Sequence, residues 1–149
     1  MSEHLATIDW QRQTESFAYS DYNRDHVWKV SGGSSIEASA AGEFLGTAGR
    51  IDPEEALVAA IASCHMLTFL AICARRRIVV DSYQDEARGF MENNARGALA
   101  ITRVDLSPVI TFAGGAPAQD QLAKIHHLSH EECFIANSVL TEIRLTRYS

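Results

Sequence analysis

The chain has 149 residues, 46% of them hydrophobic and 21% charged, and its formal net charge is -6. That length fits one folded domain, predicted here over residues 1–149, and the composition excludes an intrinsically disordered chain. The acidic balance argues against nucleic acid or an anionic membrane surface as a partner, because both attract basic protein faces.

Cysteine usage indicates a reducing compartment. Cys64, Cys73 and Cys133 are too few, and odd in number, for a secreted scaffold held together by disulfides. Residues 1–10 contain no basic segment followed by an apolar one, so we expect no signal peptide. The expected location is therefore the cytoplasm, where free thiols serve packing, metal binding or redox chemistry.

The N-terminal third of the chain has the pattern of short strands separated by turns. Aromatic residues at positions 17, 19 and 22 predict a first strand, and the apolar residues between 27 and 30 predict a second. Gly32 and Gly33 mark a turn, after which a short third strand is predicted over 36–40. The stretch 41–51 is predicted to be a loop.

A long apolar helix is predicted from residue 53 to 76. Asp52 is a favourable N-cap, Pro53 suits the first helical position, and Glu55 completes a capping box with Asp52. All but three of residues 56–74 are apolar, and a helix that is apolar on all sides is either buried or in a membrane. We favour burial, because the rest of the chain has the alternation of soluble sheet. One chain of this size cannot easily cover such a helix, so we expect a homodimer.

Beyond this helix the sequence alternates between apolar and polar residues, with one further helix. Blocks of strands separated by a few helices indicate an α+β protein with largely antiparallel sheet. The predicted elements are strands over 78–91 and 99–112, the latter bent near Pro108, a helix over 117–132, a short element over 133–138 and a last strand over 141–148.

Two of the cysteines are candidates for chemistry. Cys133 follows a polar run, whereas Cys64 lies in the middle of the apolar helix, where packing alone could explain it. His126, His130 and Cys133 are spaced so that they would share a helix face and could supply three zinc ligands. The usual paired spacing of zinc ligands is missing, and exposed helix histidines explain the same pattern.

Three separated segments form a pattern that extends over nearly the whole chain. Glu54 at the helix start is followed, ten residues later and after an alanine-rich stretch, by Cys64. Near the C-terminus the run 130–133 reads His-Glu-Glu-Cys, and near the N-terminus Arg24 is followed by Asp25. In this order and spacing, the segments resemble the OsmC/Ohr family of osmotically inducible and organic hydroperoxide resistance proteins.

The resemblance implies a fold and an activity. The fold would be an intertwined homodimer in which antiparallel sheets wrap two central buried helices. The activity would be thiol-dependent reduction of organic hydroperoxides, with Cys64 as the peroxidatic cysteine and Cys133 as the resolving one. Arg24 and Glu54 would orient and activate Cys64, no metal or other cofactor would take part, and the reductant would be a dithiol such as a lipoylated protein. The alternative is a protein of the same fold that binds a small molecule or a metal and has no peroxidase activity.

Elementary chemistry sets two conditions on this assignment. Peroxide reduction needs a thiolate, and a buried cysteine in mid-helix ionises only beside a fixed cation such as Arg24. Ten helical residues span about 15 Å, so Glu54 reaches a Cys64 only across an antiparallel pair of helices from two subunits. An apolar lining that favours organic peroxides is expected from Met66, Phe69 and Phe134.

Overall fold

The computed structural model describes residues 1–149 and confirms the α+β class. The chain forms two compact units, an N-terminal unit of residues 1–56 and a C-terminal unit of residues 57–149.

The N-terminal unit contains a three-stranded antiparallel sheet. Its strands are β1 (Ala6–Asp9), β2 (His26–Val30) and β3 (Ser35–Ala38), in the order β1-β2-β3. The turn between β2 and β3 is made by Gly32 and Gly33, whose φ angles of 94° and 86° are accessible to glycine at little cost. This hairpin confirms the second and third predicted strands.

The first predicted strand is wrong, and β1 lies where the sequence suggested no element. Phe17, Tyr19 and Tyr22 belong to a loop, in which the ring of Phe17 packs 6.0 Å from Trp10 and 5.2 Å from Tyr22. These aromatic residues therefore form a cluster of side chains instead of a strand. Their β-propensity reflects a preference for packed surfaces, which a loop can also satisfy.

Helix α1 (Pro53–Arg75) ends one residue before the predicted boundary. The capping box is present, because the Glu55 N–H donates to Asp52 Oδ1 at 2.7 Å and the Asp52 N–H donates to Glu55 Oε2 at 3.3 Å. Beyond the last turn, Arg77 has a φ of 59° and the Ile78 N–H donates to the Cys73 carbonyl, a Schellman ending. The local signals at the start of α1 thus fixed its first residue.

Within the C-terminal unit, α1 is buried on one face only. The buried residues follow helical spacing, whereas Leu67 on another face is 61% exposed. The prediction of burial on all sides therefore does not hold for a single chain. By length and composition alone α1 could also cross a membrane, a test that core helices of soluble proteins pass as well. The buried residues of α1 are Ile61, His65, Phe69, Ile72 and Cys73.

The C-terminal unit contains two sheets and a second helix. Strand β4 (Val80–Asp85) pairs with β7 (Pro108–Phe112), and β5 (Arg88–Asn93) pairs with β6 (Leu99–Leu106), both antiparallel. Strand β8 (Glu142–Leu145) runs parallel to β6, which is the one parallel pair. The unit is completed by helix α2 (Gln119–Glu132), close to its predicted range, and a 3₁₀ turn over Ala136–Ser138.

Each of the two long strands predicted in this unit is divided between the two sheets. The predicted strand 78–91 is interrupted after Asp85, and the predicted strand 99–112 is interrupted at Ser107. At that point the Ser107 N–H donates to the side-chain oxygen Oδ1 of Asp85 at 2.7 Å instead of to a backbone carbonyl. Strand β5 continues past the break with Gly89, where a Cβ atom would come within 2.5 Å of Val58 Cγ2 on α1.

Candidate active site

Cys64 and Cys133, 69 residues apart in sequence, meet in the C-terminal unit. Helix α1 holds Cys64 half-buried, and Cys133 is the residue that ends α2, with 1% of its surface exposed. Both are free thiols, and the Cys64 side chain lies close enough to Cys133 to influence its pKa. The structure therefore brings together the two cysteines that the sequence singled out.

The environment of Cys133 distinguishes the two thiols chemically. Burial, and secondly the neighbouring Cys64 side chain, raise the pKa of Cys133. The backbone N–H groups of Ala136 and Ile135 oppose this shift, and the Ala136 nitrogen lies 3.4 Å from Cys133 Sγ. Cys133 therefore keeps its proton at neutral pH, and its thiol hydrogen is available to a neighbouring acceptor.

Arg24 is held in place in the N-terminal unit. Its guanidinium donates to the Tyr22 and Tyr19 carbonyls, each at 2.5 Å, and lies 3.8 Å from the centre of the Tyr22 ring. His26 supports this arrangement, because its Nδ1 donates to the Arg24 carbonyl at 2.7 Å while its Nε2 accepts from Trp28 Nε1 at 2.8 Å. Together the two carbonyl hydrogen bonds and the ring contact hold the guanidinium, so Arg24 is a fixed cation.

Beside Arg24 lies an open pocket of about 400 Å³ with mainly apolar walls. This volume is within the roughly 300–1,000 Å³ typical of small-molecule sites. No pattern in the sequence indicated this pocket, because the spacing of Phe17 and Tyr22 predicts a strand there. The lining residues are Trp10, Phe17, Tyr22, Arg24, His26, Ser39, Ala40 and Pro53.

Glu54 lies in the first turn of α1 and is half-buried. The capping role that could have explained an acidic residue here is filled by its neighbour Glu55. Helix α1 continues without interruption from Pro53 to Arg75, which is the condition assumed in the estimate of about 15 Å along the helix between Glu54 and Cys64. The role of Glu54 stays a prediction.

One expectation for the site is not met. Phe69 was expected to line a substrate path, but it is fully buried in a hydrophobic cluster with Ile72 and Leu122. The alternative zinc site of His126, His130 and Cys133 does not form either, since no three His, Cys, Asp or Glu side chains are grouped to hold a metal ion. Phe134, in contrast, is 82% exposed next to Cys133.

A buried histidine pair, which the sequence did not predict, links the two helices. Nε2 of His65 on α1 and Nδ1 of His126 on α2 lie 3.1 Å apart, and each residue is at most 3% exposed. The His126 ring also packs against Phe69, with ring centres 4.5 Å apart. Burial lowers the pKa of both His65 and His126 to about 4, so both rings are neutral at pH 7. One hydrogen shared between them satisfies two buried nitrogens.

Acidification is therefore expected to destabilise the protein between pH 6.5 and pH 4. The unfolded chain restores the ordinary histidine pKa of 6.5, so it binds more protons than the folded protein in this interval. The free energy of unfolding should be independent of these groups above pH 6.5 and should fall by roughly 3 kcal/mol for one such histidine on reaching pH 4. Urea denaturation measured across this range tests the expectation.

Two variants separate the buried pair from other titrating groups. His126→Phe keeps an aromatic ring against Phe69 and removes one titrating group, so its unfolding free energy should depend less on pH. His127→Gln changes the neighbouring, exposed histidine and should retain the wild-type dependence. Equal slopes for His126→Phe and the wild type would show that the pair does not control acid stability.

Comparisons with known proteins extend over most of the chain. The sequence model of the family described as OsmC-like protein matches residues 46–146. An OsmC-like protein of unknown function from Vibrio cholerae O1 biovar eltor str. N16961 is 46% identical, with both chains covered completely and a TM-score of 0.95. The organic hydroperoxide resistance protein OsmC from Legionella pneumophila shares the fold, with a TM-score of 0.73 at 15% identity over 100% of this chain and 98% of the other. The uncharacterized protein YmaD of Bacillus subtilis (strain 168) is 25% identical over 127 residues, 83% of each chain.

Proposed function

Because the chain belongs to the OsmC-like family, we propose that it is a thiol-dependent peroxidase that reduces organic hydroperoxides to alcohols. The observation that carries this proposal is the meeting of Cys64 and Cys133 as two free, unequal thiols. The name of the Legionella pneumophila structure, an organic hydroperoxide resistance protein, supports the same chemistry.

The proposed cycle uses the two cysteines in turn. The Cys64 thiolate attacks the outer oxygen of the hydroperoxide, the O–O bond breaks, and the alkoxide leaves with a proton as the alcohol. Cys64 is now a sulfenic acid, and Cys133 attacks its sulfur, releasing water and forming the Cys64–Cys133 disulfide. An external dithiol then supplies two electrons and restores both thiols.

The unequal surroundings of the two thiols support this division of roles. Cys64 is half-buried and can be reached by a peroxide, whereas Cys133 is 1% exposed. Because Cys133 holds its proton at neutral pH, it can donate a hydrogen bond to a Cys64 thiolate while that thiolate attacks. A buried, protonated thiol beside the reacting sulfur fits the resolving step and not the first attack.

Arg24 is proposed as the cation that keeps Cys64 ionised and stabilises the negative charge that develops on the peroxide oxygens. Its fixed guanidinium supports this role, since a preorganised charge needs no rearrangement during the reaction. The adjoining pocket, with the rings of Trp10 and Phe17 in its wall, favours a substrate with an apolar body over hydrogen peroxide. Glu54 is proposed to orient the guanidinium.

Removal of the Arg24 charge is expected to slow peroxide reduction by about a hundredfold. Arg24→Gln keeps a polar side chain of moderate length, so the loss should appear in kcat/KM for cumene hydroperoxide. Arg12→Gln is the matched control, because Arg12 is an exposed arginine of the same unit that also donates to backbone carbonyls. Equal activity of the two variants would remove Arg24 from the mechanism.

We also propose that the protein acts as a cytoplasmic homodimer. Ala59, Ser63 and Leu67 follow one another at four-residue spacing on α1 and are exposed in the single chain. A second copy of this chain would cover that face. Proteins of the OsmC/Ohr family are typically dimers, which supports such an assembly. Sedimentation of the purified protein should give twice the mass of 16.4 kDa.

The decisive experiment measures peroxide consumption and its product together. Purified protein with dithiothreitol or dihydrolipoamide is expected to consume tert-butyl and cumene hydroperoxide faster than hydrogen peroxide. After one equivalent of peroxide without reductant, mass spectrometry should find Cys64 joined to Cys133. No consumption of any peroxide would contradict the proposal and would favour a binding protein of the same fold.

A further inference from the structure

The chain that follows α2 forms a tight turn around the sulfur of Cys133. The Asn137 side chain clamps this turn, because its Nδ2 donates to the Glu131 carbonyl at 2.9 Å and to the Cys133 carbonyl at 3.0 Å. The Asn137 backbone N–H also donates to the Cys133 carbonyl at 3.0 Å. This folded segment directs the N–H of Ala136 at Cys133 Sγ, 3.4 Å away. One side chain thus fixes the position of a backbone donor on a reactive sulfur.

The access to the two sulfurs differs in a way that bears on disulfide reduction. A dithiol that approaches a Cys64–Cys133 disulfide meets the half-buried Cys64, because Cys133 is 1% exposed. Thiolate attack on one sulfur of a disulfide expels the other, so Cys133 would leave. A leaving thiolate needs a hydrogen-bond donor in a buried place, and the Ala136 N–H is already there.

We propose that Asn137 is a positioning residue for thiol–disulfide exchange: it holds the turn that keeps the Ala136 N–H on Cys133, so that Cys133 is the leaving sulfur when a dithiol attacks Cys64. The inference rests on the proposed function, because it concerns the return step of the same cycle.

Atoms and electrons balance in this step. One thiolate of the dithiol attacks Cys64 Sγ, the Cys64–Cys133 bond breaks, and Cys133 leaves as a thiolate that then takes up a proton. The second thiol of the reductant, as a thiolate, attacks its own partner sulfur in the mixed disulfide, which releases the Cys64 thiolate. The dithiol ends as a cyclic disulfide after giving two electrons, and the protein ends with both cysteines reduced.

The test measures reduction of a disulfide that has been formed without peroxide. Diamide oxidises the wild-type protein and the variants, mass spectrometry confirms the Cys64–Cys133 bond, and excess dithiothreitol reduces it at several values of pH. Asn137→Ala removes the clamp, and Asn137→Asp keeps the size of the side chain but lacks the Nδ2 donors. Ser138→Ala is the matched control, since the Ser138 hydroxyl bonds the Phe134 carbonyl in the same turn without touching Cys133.

Both Asn137 variants are expected to be reduced about three- to tenfold more slowly than the wild type, because a poorer leaving thiolate slows exchange. The Ser138→Ala protein should match the wild type. Mere loosening of the turn would expose the disulfide and speed its reduction, so faster or unchanged reduction of the Asn137 variants would overturn the proposal.

The reaction of Cys64 with peroxide shows whether a negative result contradicts the role of Asn137 or the proposed peroxidase function. Oxidation of the reduced wild-type protein by one equivalent of cumene hydroperoxide tests the peroxidase by itself, whereas reduction of the diamide-formed disulfide tests Asn137. Slower reduction of the diamide-formed disulfide in a protein that consumes no peroxide would support the role of Asn137 and contradict the peroxidase. Normal peroxide reduction by the wild-type protein, together with unchanged disulfide reduction by dithiothreitol in the Asn137 variants, would support the peroxidase and contradict the role of Asn137.

Discussion

Replacement of Cys64 by serine is expected to abolish the consumption of organic hydroperoxides, with a loss of at least about a thousandfold. A serine hydroxyl does not ionise at neutral pH and is a poor nucleophile towards peroxide oxygen, so neither Arg24 nor the apolar pocket can compensate. The rate at which cumene hydroperoxide disappears in the presence of dithiothreitol is measured with a chromogenic peroxide assay. The Cys64→Ser protein should fold normally, because the replaced side chain is only half-buried.

Cys73→Ala is the control for this variant. Cys73 also lies on α1, but it is 1% exposed within the hydrophobic cluster around Phe69, and burial raises the pKa of its thiol. It should therefore be an inert packing residue, and its loss should leave peroxide consumption close to the wild-type rate. An inactive Cys73→Ala protein that is folded, or an active Cys64→Ser protein, would mean that the wrong thiol has been assigned.

Local signals were enough to place α1 and the cysteine it carries. The capping box of Asp52 and Glu55 acts within one turn of helix, so its geometry is contained in a few neighbouring residues. The spacing from Glu54 to Cys64 then follows from the regular rise of the helix. The resemblance to a family added the assignment of Cys133, which no local pattern around it could have supplied.

The division of the two long strands between sheets depends on contacts distant in sequence. Nothing in the run 78–91 marks the break after Asp85, whose side chain accepts the N–H of Ser107 in the fold. The strand predicted from the aromatic residues is absent for a related reason, since Phe17 and Tyr22 pack on each other without forming a ladder. Side-chain contacts made in the folded chain decided both cases, and local propensity did not.

The histidine pair and the Asn137 clamp are likewise features that local sequence could not predict. His65 and His126 are 61 residues apart, so the sequence offered only exposed-helix and metal-ligand explanations for His126. Asn137 has no distinguishing neighbours in sequence, and its role is visible only when Ala136 and Cys133 are seen in three dimensions. Residues that position others are harder to find from sequence than the reactive residues themselves.

Replacement of Cys133 by serine is expected to stop the cycle after the first step. Cys64 should still reduce one equivalent of hydroperoxide, because the attacking sulfur is unchanged, but no thiol is then within reach to form a disulfide. Cys64 should accumulate as a sulfenic acid that dimedone labels, and the intact mass should rise by one oxygen atom. The wild-type protein treated in the same way should lose two hydrogens instead.

Repeated exposure to peroxide sharpens this prediction. A sulfenic acid that is not resolved reacts with further peroxide to give the sulfinic acid, which dithiols do not reduce. The Cys133→Ser protein should therefore be inactivated irreversibly by a few equivalents of peroxide, whereas the wild-type protein should recover fully with dithiothreitol. If the serine variant formed a disulfide from Cys64, its partner would have to be Cys73 or a second subunit, and the assignment of Cys133 as the resolving cysteine would be wrong.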